Sequence, residues 1–154
     1  MTWVQVKNYD PKKHNKYKPL NEQKYIGKRF PTTRSQWEWK FCVYCDSNDH
    51  VIAWASESIG IPYYFKGKKR RYYPDFYVKI KDKQGNIQEY IVEIKPYKET
   101  KQPQKKGKKN YKTLLNEKET WEKNLAKWKA AEQYCYKRGY KFIKLTEKEL
   151  FQGK

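Results

Sequence analysis

The chain is short of cysteine, histidine and acid, and each shortage narrows what it can do. Its three cysteines, Cys42, Cys45 and Cys135, are odd in number and too few for a disulfide framework, which fits a reducing, cytosolic compartment. Cys42-Val43-Tyr44-Cys45 is half of a zinc-ligand pattern, yet no second CxxC or His pair completes it. The lone His14 and His50 have no partner pattern and receive no role. No apolar run approaches a membrane span, and Met1-Thr2-Trp3-Val4 does not begin a signal peptide, so no membrane partner is expected. Asp and Glu number 17 against 36 Lys and Arg, a net charge of +19 in 154 residues. So large an imbalance implies a polyanionic partner, nucleic acid first and an acidic protein surface second.

A chain of this length forms one domain with a single core. Hydrophobic residues make up 37% and aromatic residues 18%, so Tyr, Trp and Phe should build that core more than Leu and Val. Residues 1–33 are rich in Lys, Tyr, Asn and Pro without a sustained period, and read as an extended basic N-terminal arm. Such an arm suits phosphate contact or docking on a partner, and a partly disordered tail is the equal alternative. Ser35 or Thr33 can cap a helix to about Asp46, with Trp37, Phe41, Tyr44 and Cys45 as its apolar stripe. Glu38 lies at the edge of that stripe and needs a partner, either Arg34 one turn back or a bound cation. Val51–Ala55 and Ser58–Tyr63 read as one strand or two short ones, with Glu57 between them as an ordinary edge residue in the favoured reading and a further ligand in the other. Lys66-Gly67-Lys68-Lys69-Arg70-Arg71 reads as a turn with a basic run, placed to clamp backbone phosphates.

Two strand-like segments carry the strongest signal, Tyr73-Pro74-Asp75-Phe76 and Tyr90-Ile91-Val92-Glu93-Ile94-Lys95-Pro96. Across an antiparallel hairpin, partner numbers sum to a constant. Pairing Asp75 with Glu93 centres the turn on Gln84, inside the turn-forming run Lys83-Gln84-Gly85-Asn86. The two carboxylates would then stand about 4.5–5.5 Å apart at Cβ, with Lys95 on the same face. The same register sets Phe76, Val78 and Ile80 against Val92, Tyr90 and Gln88, and a slip of one residue would destroy that match. Opposed carboxylates repel, so the pairing calls for a cation; Mg²⁺ is commonly held by one or two carboxylates with waters and phosphate oxygens.

Beyond the hairpin, residues 97–112 form a lysine-rich loop with Lys98, Lys101, Lys105, Lys106, Lys108, Lys109 and Lys112. Nothing in it is expected to pack, so it should be a flexible surface loop that covers DNA or orders on a partner. A long helix follows from about Leu114 to Arg138, with Trp121, Leu125, Trp128 and Cys135 buried and Gly139 as C-cap. Asn124 and Lys127 share a neighbouring face. Tyr140–Leu145 reads as the last strand, and Thr146-Glu147-Lys148-Glu149 as a capping box opening a short helix.

Pro74-Asp75 followed by Glu93-Ile94-Lys95 resembles the PD-(D/E)XK nuclease signature. More of the chain is similar to the head-completion nucleases of T-even-like tailed phages, related in core to the end-cleaving subunit of heteromeric transposases. The matching stretches run collinearly over about residues 17–150: Arg34–Phe41, Val51–Glu57, Ile61–Tyr63, Arg71–Phe76, Glu93–Pro96 and Asn124–Ala131. The resemblance implies an α/β fold, ordered helix, three or four strands, helix, strand, with a mixed central sheet flanked by helices. Residues 34–154 would be the single nuclease domain, with the flexible basic loop at about 97–112.

The resemblance further implies Mg²⁺ as cofactor, with Mn²⁺ able to substitute. Asp75, Glu93 and Glu38 would hold it, and the carbonyl of Ile94 is a further candidate ligand. Lys95 would position or help deprotonate the attacking water, leaving a 5′-phosphate and a 3′-hydroxyl. Lys68, Lys69, Arg70, Arg71 and Lys127 are the candidate DNA contacts, Lys127 by analogy with related nucleases. The partners implied are DNA and the phage portal, neck or head-completion proteins, at the head–tail neck of the virion and in the host cytoplasm during assembly. Two other readings stand beside this one. A non-catalytic neck protein would bind exiting DNA or the portal through its basic surface, and a transposase-type end nuclease would need a partner recombinase.

Overall fold

The structure, a computed structural model, describes residue 10 and residues 12–104 and 107–150. Ser35 caps the first helix, α1 (Gln36–Ser47), its hydroxyl accepting the N–H of Glu38 at 3.2 Å. Five strands follow: β1 (Val51–Ser56), β2 (Ile61–Phe65), β3 (Lys68–Tyr72), β4 (Phe76–Lys81) and β5 (Ile87–Ile94). A 28-residue helix, α2 (Tyr111–Arg138), leads to β6 (Lys141–Leu145) and a short α3 (Glu147–Leu150). The central sheet is ordered β1-β4-β5-β6; β1, β4 and β5 are antiparallel and β6 is parallel to β5. That parallel pair requires a crossover, and α2 supplies it.

The β4–β5 hairpin adopts the register expected from the sequence, Phe76 opposite Val92, Val78 opposite Tyr90 and Ile80 opposite Gln88. The Asp82 carboxylate accepts the N–H groups of Gln84 and Asn86 at 2.9 and 2.8 Å, and Gly85 takes φ +86°, so side chain and glycine together fix the turn. Alternation then sorts the strands into two faces. Phe76, Val78, Val92 and Ile94 pack with Phe41, Cys42, Tyr44 and Cys45 of α1 and with Trp54 of β1. Tyr77 and Ile91 point to the other face and meet Cys135 of α2. As composition foretold, rings dominate: Phe41 and Phe76 lie 4.6 Å apart, and Trp54 is fully buried.

Several expectations are corrected. The basic run 68–71 is not a turn but strand β3, paired with β2 in a separate two-stranded sheet that packs on α2. Its turn is Lys66-Gly67, and Lys68–Phe65 pairing supports a strand that carries almost no apolar pattern of its own. In α2, Leu125 is 45% exposed and Asn124 is buried in its place; the inward row is Asn124, Trp128, Ala131 and Cys135. The helix also starts earlier than expected, capped by Asn110, whose side chain accepts the Thr113 N–H at 2.8 Å. The 97–112 segment does pack in part: Tyr97–Thr100 form a 3₁₀ turn, the Tyr97 N–H donates to Glu147, and Lys109 pairs with Glu117 at 2.7 Å. Lys105 and Lys106 lie outside the described residues. Cys42 and Cys45, the candidate half zinc site, are buried free thiols, pushed well up by burial.

The arm expected over 1–33 begins outside the described residues, but residues 12–33 lie against the domain rather than beyond it. Tyr17 and Tyr25 belong to the α1-side core, ring to ring with Trp54 at 6.1 and 4.8 Å. Asp46, buried at the end of α1, anchors the Tyr17–Asn21 stretch. Its carboxylate accepts the Tyr17 hydroxyl and Leu20 N–H at 2.7 Å each, and the Asn21 N–H at 2.9 Å. Asp46→Ala leaves those donors unmatched in the interior, for an expected loss of about 3 kcal/mol, and Tyr17→Phe about 1.5 kcal/mol. Urea midpoints at unchanged m-value measure both, and an Asp46→Ala loss under about 1 kcal/mol would show that residues 12–33 dock without it.

Candidate active site

The β4–β5 hairpin ends where the chemistry begins. Asp75 stands one residue before β4 and turns its Oδ2 toward the Ile94 N–H, accepting it at 2.7 Å. Glu93, opposite, is buried on the α2 side of the sheet, and its Oε1 accepts the Tyr72 hydroxyl at 2.6 Å. Lys95 Nζ lies 3.7 Å from Glu93 Oε2. Asp75, Glu93, Ile94, Lys95 and Glu38 line one cleft of about 470 Å³, together with Arg34 and the first turn of α1. Residues 38, 75, 93 and 95, far apart in the chain, therefore face a common space.

Burial governs their charge. Asp75 is held well above the usual carboxylate range by burial, then by the neighbouring Glu93. Burial also raises Glu93, against the Tyr72 hydroxyl, Lys95 and Lys127, which pull it down. Glu38 is raised by burial too, against the Arg34 backbone and side chain. The salt bridge considered between Arg34 and Glu38 is not the one formed, because the Arg34 guanidinium donates to Glu57. Glu38 sits instead at the third position of a capping box, with Ser35 Oγ 3.3 Å from its Oε1. The pattern Ser35-x-x-Glu38 was readable in the sequence, and it gives Glu38 a structural duty alongside any catalytic one. Glu57 takes a left-handed φ of +48° and donates its N–H to the Asp75 carbonyl at 3.0 Å, so it braces the loop before β4.

Lys127 faces the site from α2. Its ammonium lies 5.6 Å from the Tyr72 ring centroid, and burial followed by repulsion from Lys95 lowers its pKa. Asn124, one turn earlier, is buried on the same side. The parallel crossover is what brings them here, since α2 must cover the face that bears Glu93. Of the remaining candidates, Lys68, Lys69 and Arg71 are exposed on β3 and Arg70 is half-buried; none lines the cleft. Tyr72 was missed. Strand alternation back from it would have put its ring on the α2 face, but only if Lys68–Tyr72 had been recognised as a strand.

The donors suit a hard divalent cation: three carboxylates and a backbone carbonyl, all oxygen. Among the described residues, no group of three His, Cys, Asp or Glu side chains is arranged to hold a metal ion as it stands. The elevated carboxylates are nevertheless a site short of positive charge, which such an ion would supply.

An α/β sheet covered on both faces, with two acids and a lysine at the end of its central hairpin, is the core of a PD-(D/E)XK nuclease. Residues 48–147 match the family described as TnsA-like endonuclease N terminal. The chain is also 45% identical over 138 residues to the head completion nuclease of Enterobacteria phage T4, covering 86% of this chain and 89% of that protein. No solved structure matches it. The chain belongs to this endonuclease family and is a nuclease, a hydrolase acting on DNA. Among the described residues, no helix is long and apolar enough to cross a membrane.

The raised carboxylates carry a pH signature. Folded Asp75 and Glu93 hold protons at pH values where the unfolded chain has released them. Their stabilising contribution in EDTA is therefore complete below the ordinary carboxylate range and lost as pH rises through the raised values. Asp75→Asn, which cannot ionise, should flatten that decline in a plot of Tm against pH. An unaltered decline would mean that the Asp75 charge is accommodated without cost.

Proposed function

We propose that this nuclease is divalent-metal-dependent, with Mg²⁺ as the ordinary ion, and that it acts in phage head completion, as the name of its T4 relative suggests. The observation that carries the reading is the meeting of half-buried Asp75 and buried Glu93 with Lys95 and Glu38 in one cleft. Asp75, Glu93 and Glu38 hold the ion, with the Ile94 carbonyl as a further ligand. When bound, the ion lowers the pKa of water and stabilises charge on the phosphate.

The side chains do the rest. Lys95 donates to the attacking water and fixes its line toward the phosphorus. Glu93 holds Lys95 in place, and Tyr72 holds Glu93. Lys127 approaches the same centre from α2 and offsets the phosphate's charge. Phosphates, not base edges, are the main contacts, so sequence preference is weak and binding is steeply salt-dependent. The substrate is packaged or newly filled DNA, met at the neck with the portal and head-completion proteins during assembly in the host cytoplasm. Both endonuclease and exonuclease outcomes are compatible with the cleft.

Purified protein with supercoiled plasmid and Mg²⁺ should nick or linearise it, and EDTA should stop the reaction. Asp75→Ala and Lys95→Ala should each lower the rate at least about 100-fold while leaving salt-sensitive DNA binding nearly intact. Full nicking by either variant removes that residue from catalysis, and no cleavage by the native protein favours a structural neck role. Independently of activity, Mg²⁺ at ten times its Kd should stabilise the fold by about 1.4 kcal/mol, or about 3–5 °C in Tm. Asp75→Asn should lose that increment.

A further inference from the structure

The β2–β3 hairpin packs on helix α2 with β2 against it, and side chains of β3 and α2 meet at two aromatic rings, Tyr72 and Phe65. On β3, Tyr72, Arg70 and Lys68 alternate onto one face, about 6.8 Å apart at successive positions. On α2, Lys127 and Lys123 are one turn apart, about 6 Å along the axis. Lys127 lies over the Tyr72 ring at 5.6 Å. Two residues back on β3, Arg70 lies 5.8 Å from the Phe65 ring centroid, and Lys123 and Lys66 reach the same ring at 5.7 Å each. The first ring touches the catalytic cluster directly, because the Tyr72 hydroxyl donates to Glu93.

Three cations around one ring repel one another, and a ring face returns only about 0.5–1 kcal/mol at exposed sites. The acid that stands among them is Glu119, whose carboxylate is 2.9 Å from Lys66 and is pulled down by Lys66, Lys123 and Arg70. Arg70 Nε is buried and has no hydrogen-bond partner among the described residues. The row is thus under-neutralised, with one acid among three cations. Lys69 and Arg71, of opposite parity on β3, point away from α2; Arg71 instead lies over Gly60, where an added Cβ would meet its Cδ at 2.7 Å.

We propose that Lys127, Lys123 and Arg70, with Lys66 at the far end, form a phosphate track that carries one DNA strand out of the cleft between α2 and the β2–β3 hairpin. The proposal rests on the nuclease reading of the cleft and adds the direction in which substrate leaves it. It also divides the basic run, Arg70 holding phosphate while Lys69 and Arg71 do not. Glu119 tempers the track by occupying Lys66.

The test is equilibrium binding of the full-length protein to a fluorescent duplex in EDTA, with affinity measured across salt concentrations. Arg70→Gln and Lys123→Gln should each weaken binding and reduce the slope of log K against log salt by about 1, and the double variant by about 2. Lys69→Gln with Arg71→Gln should leave the slope unchanged. Glu119→Gln, an exposed change that tests the track without any loss of packing, should tighten binding and steepen the slope. An unchanged slope for Arg70→Gln and Lys123→Gln in a protein that still nicks plasmid overturns the track alone. An equal fall for Lys69→Gln with Arg71→Gln overturns it as well. Loss of slope at Arg70 and Lys123 in a protein that never cleaves supports the track while the catalytic reading falls.

Discussion

The hydrogen bond from the Ile94 N–H to Asp75 Oδ2 ties the hairpin to the chemistry. It joins the residue before β4 to the last residue of β5, at the one place where the ladder could fray. Because it is a contact of a carboxylate with backbone, it fixes the acid's position independently of any side-chain partner. It also commits Asp75 to the interior, where burial and Glu93 both oppose its charge. Register and reactivity are therefore one constraint. Shifting β4 by one residue would carry Phe76 and Val78 out of the α1-side core, and the acid would leave the cleft with them.

The two faces of the sheet then divide the labour. The α1 face is a closed aromatic core; the α2 face carries Glu93, Tyr72 and Lys127 at its edge and apolar residues behind them. A parallel β5–β6 pair obliges the connecting helix to lie across this second face. That obligation places Lys127 beside Glu93, and its distance in sequence is no obstacle. The β2–β3 hairpin packs on the same helix through Ile61, Tyr63 and Tyr72 against Trp128 and Ala131. So one helix positions both Lys127 and the hairpin whose Tyr72 supports Glu93.

Elements governed by local chemistry were legible in the sequence. The hairpin register followed from alternation and a glycine turn, the Gly139 cap from a φ of +73° that glycine alone adopts without strain, and the Thr146–Glu149 box from its spacing. Elements governed by distant contacts were not. Lys68–Arg71 has no apolar alternation, and only pairing with β2 and the cover of α2 make it a strand. In α2 the apolar Leu125 looks inward by composition, yet the helix is turned so that Asn124 takes that place near the site. Residues 12–33 lack a period because they are held by scattered distant contacts, Asp46 with Tyr17, Leu20 and Asn21, and Trp54 with Tyr17, Tyr25 and the Ile26 N–H. Asp75, Glu93 and Lys95 were expected on one face because their spacing is written in one hairpin, and the structure sets them in one cleft; Tyr72 was lost with the strand that carries it.

A net charge of +19 does not quiet buried Glu93 and half-buried Asp75 and Glu38, because distance prevents it. Exposed charges are screened over about 8 Å at physiological ionic strength, so lysines elsewhere on the surface contribute little inside the cleft. Only Lys95 and Lys127 act on Glu93 at close range, and burial still outweighs them there. Asp75 is worse placed, with burial, Glu93 and Glu38 raising it against the Ile94 N–H and Lys95. The surface charge and the site charge thus answer to different partners. The first suits a polyanion lying along the surface, and the second is left with its carboxylates raised by burial.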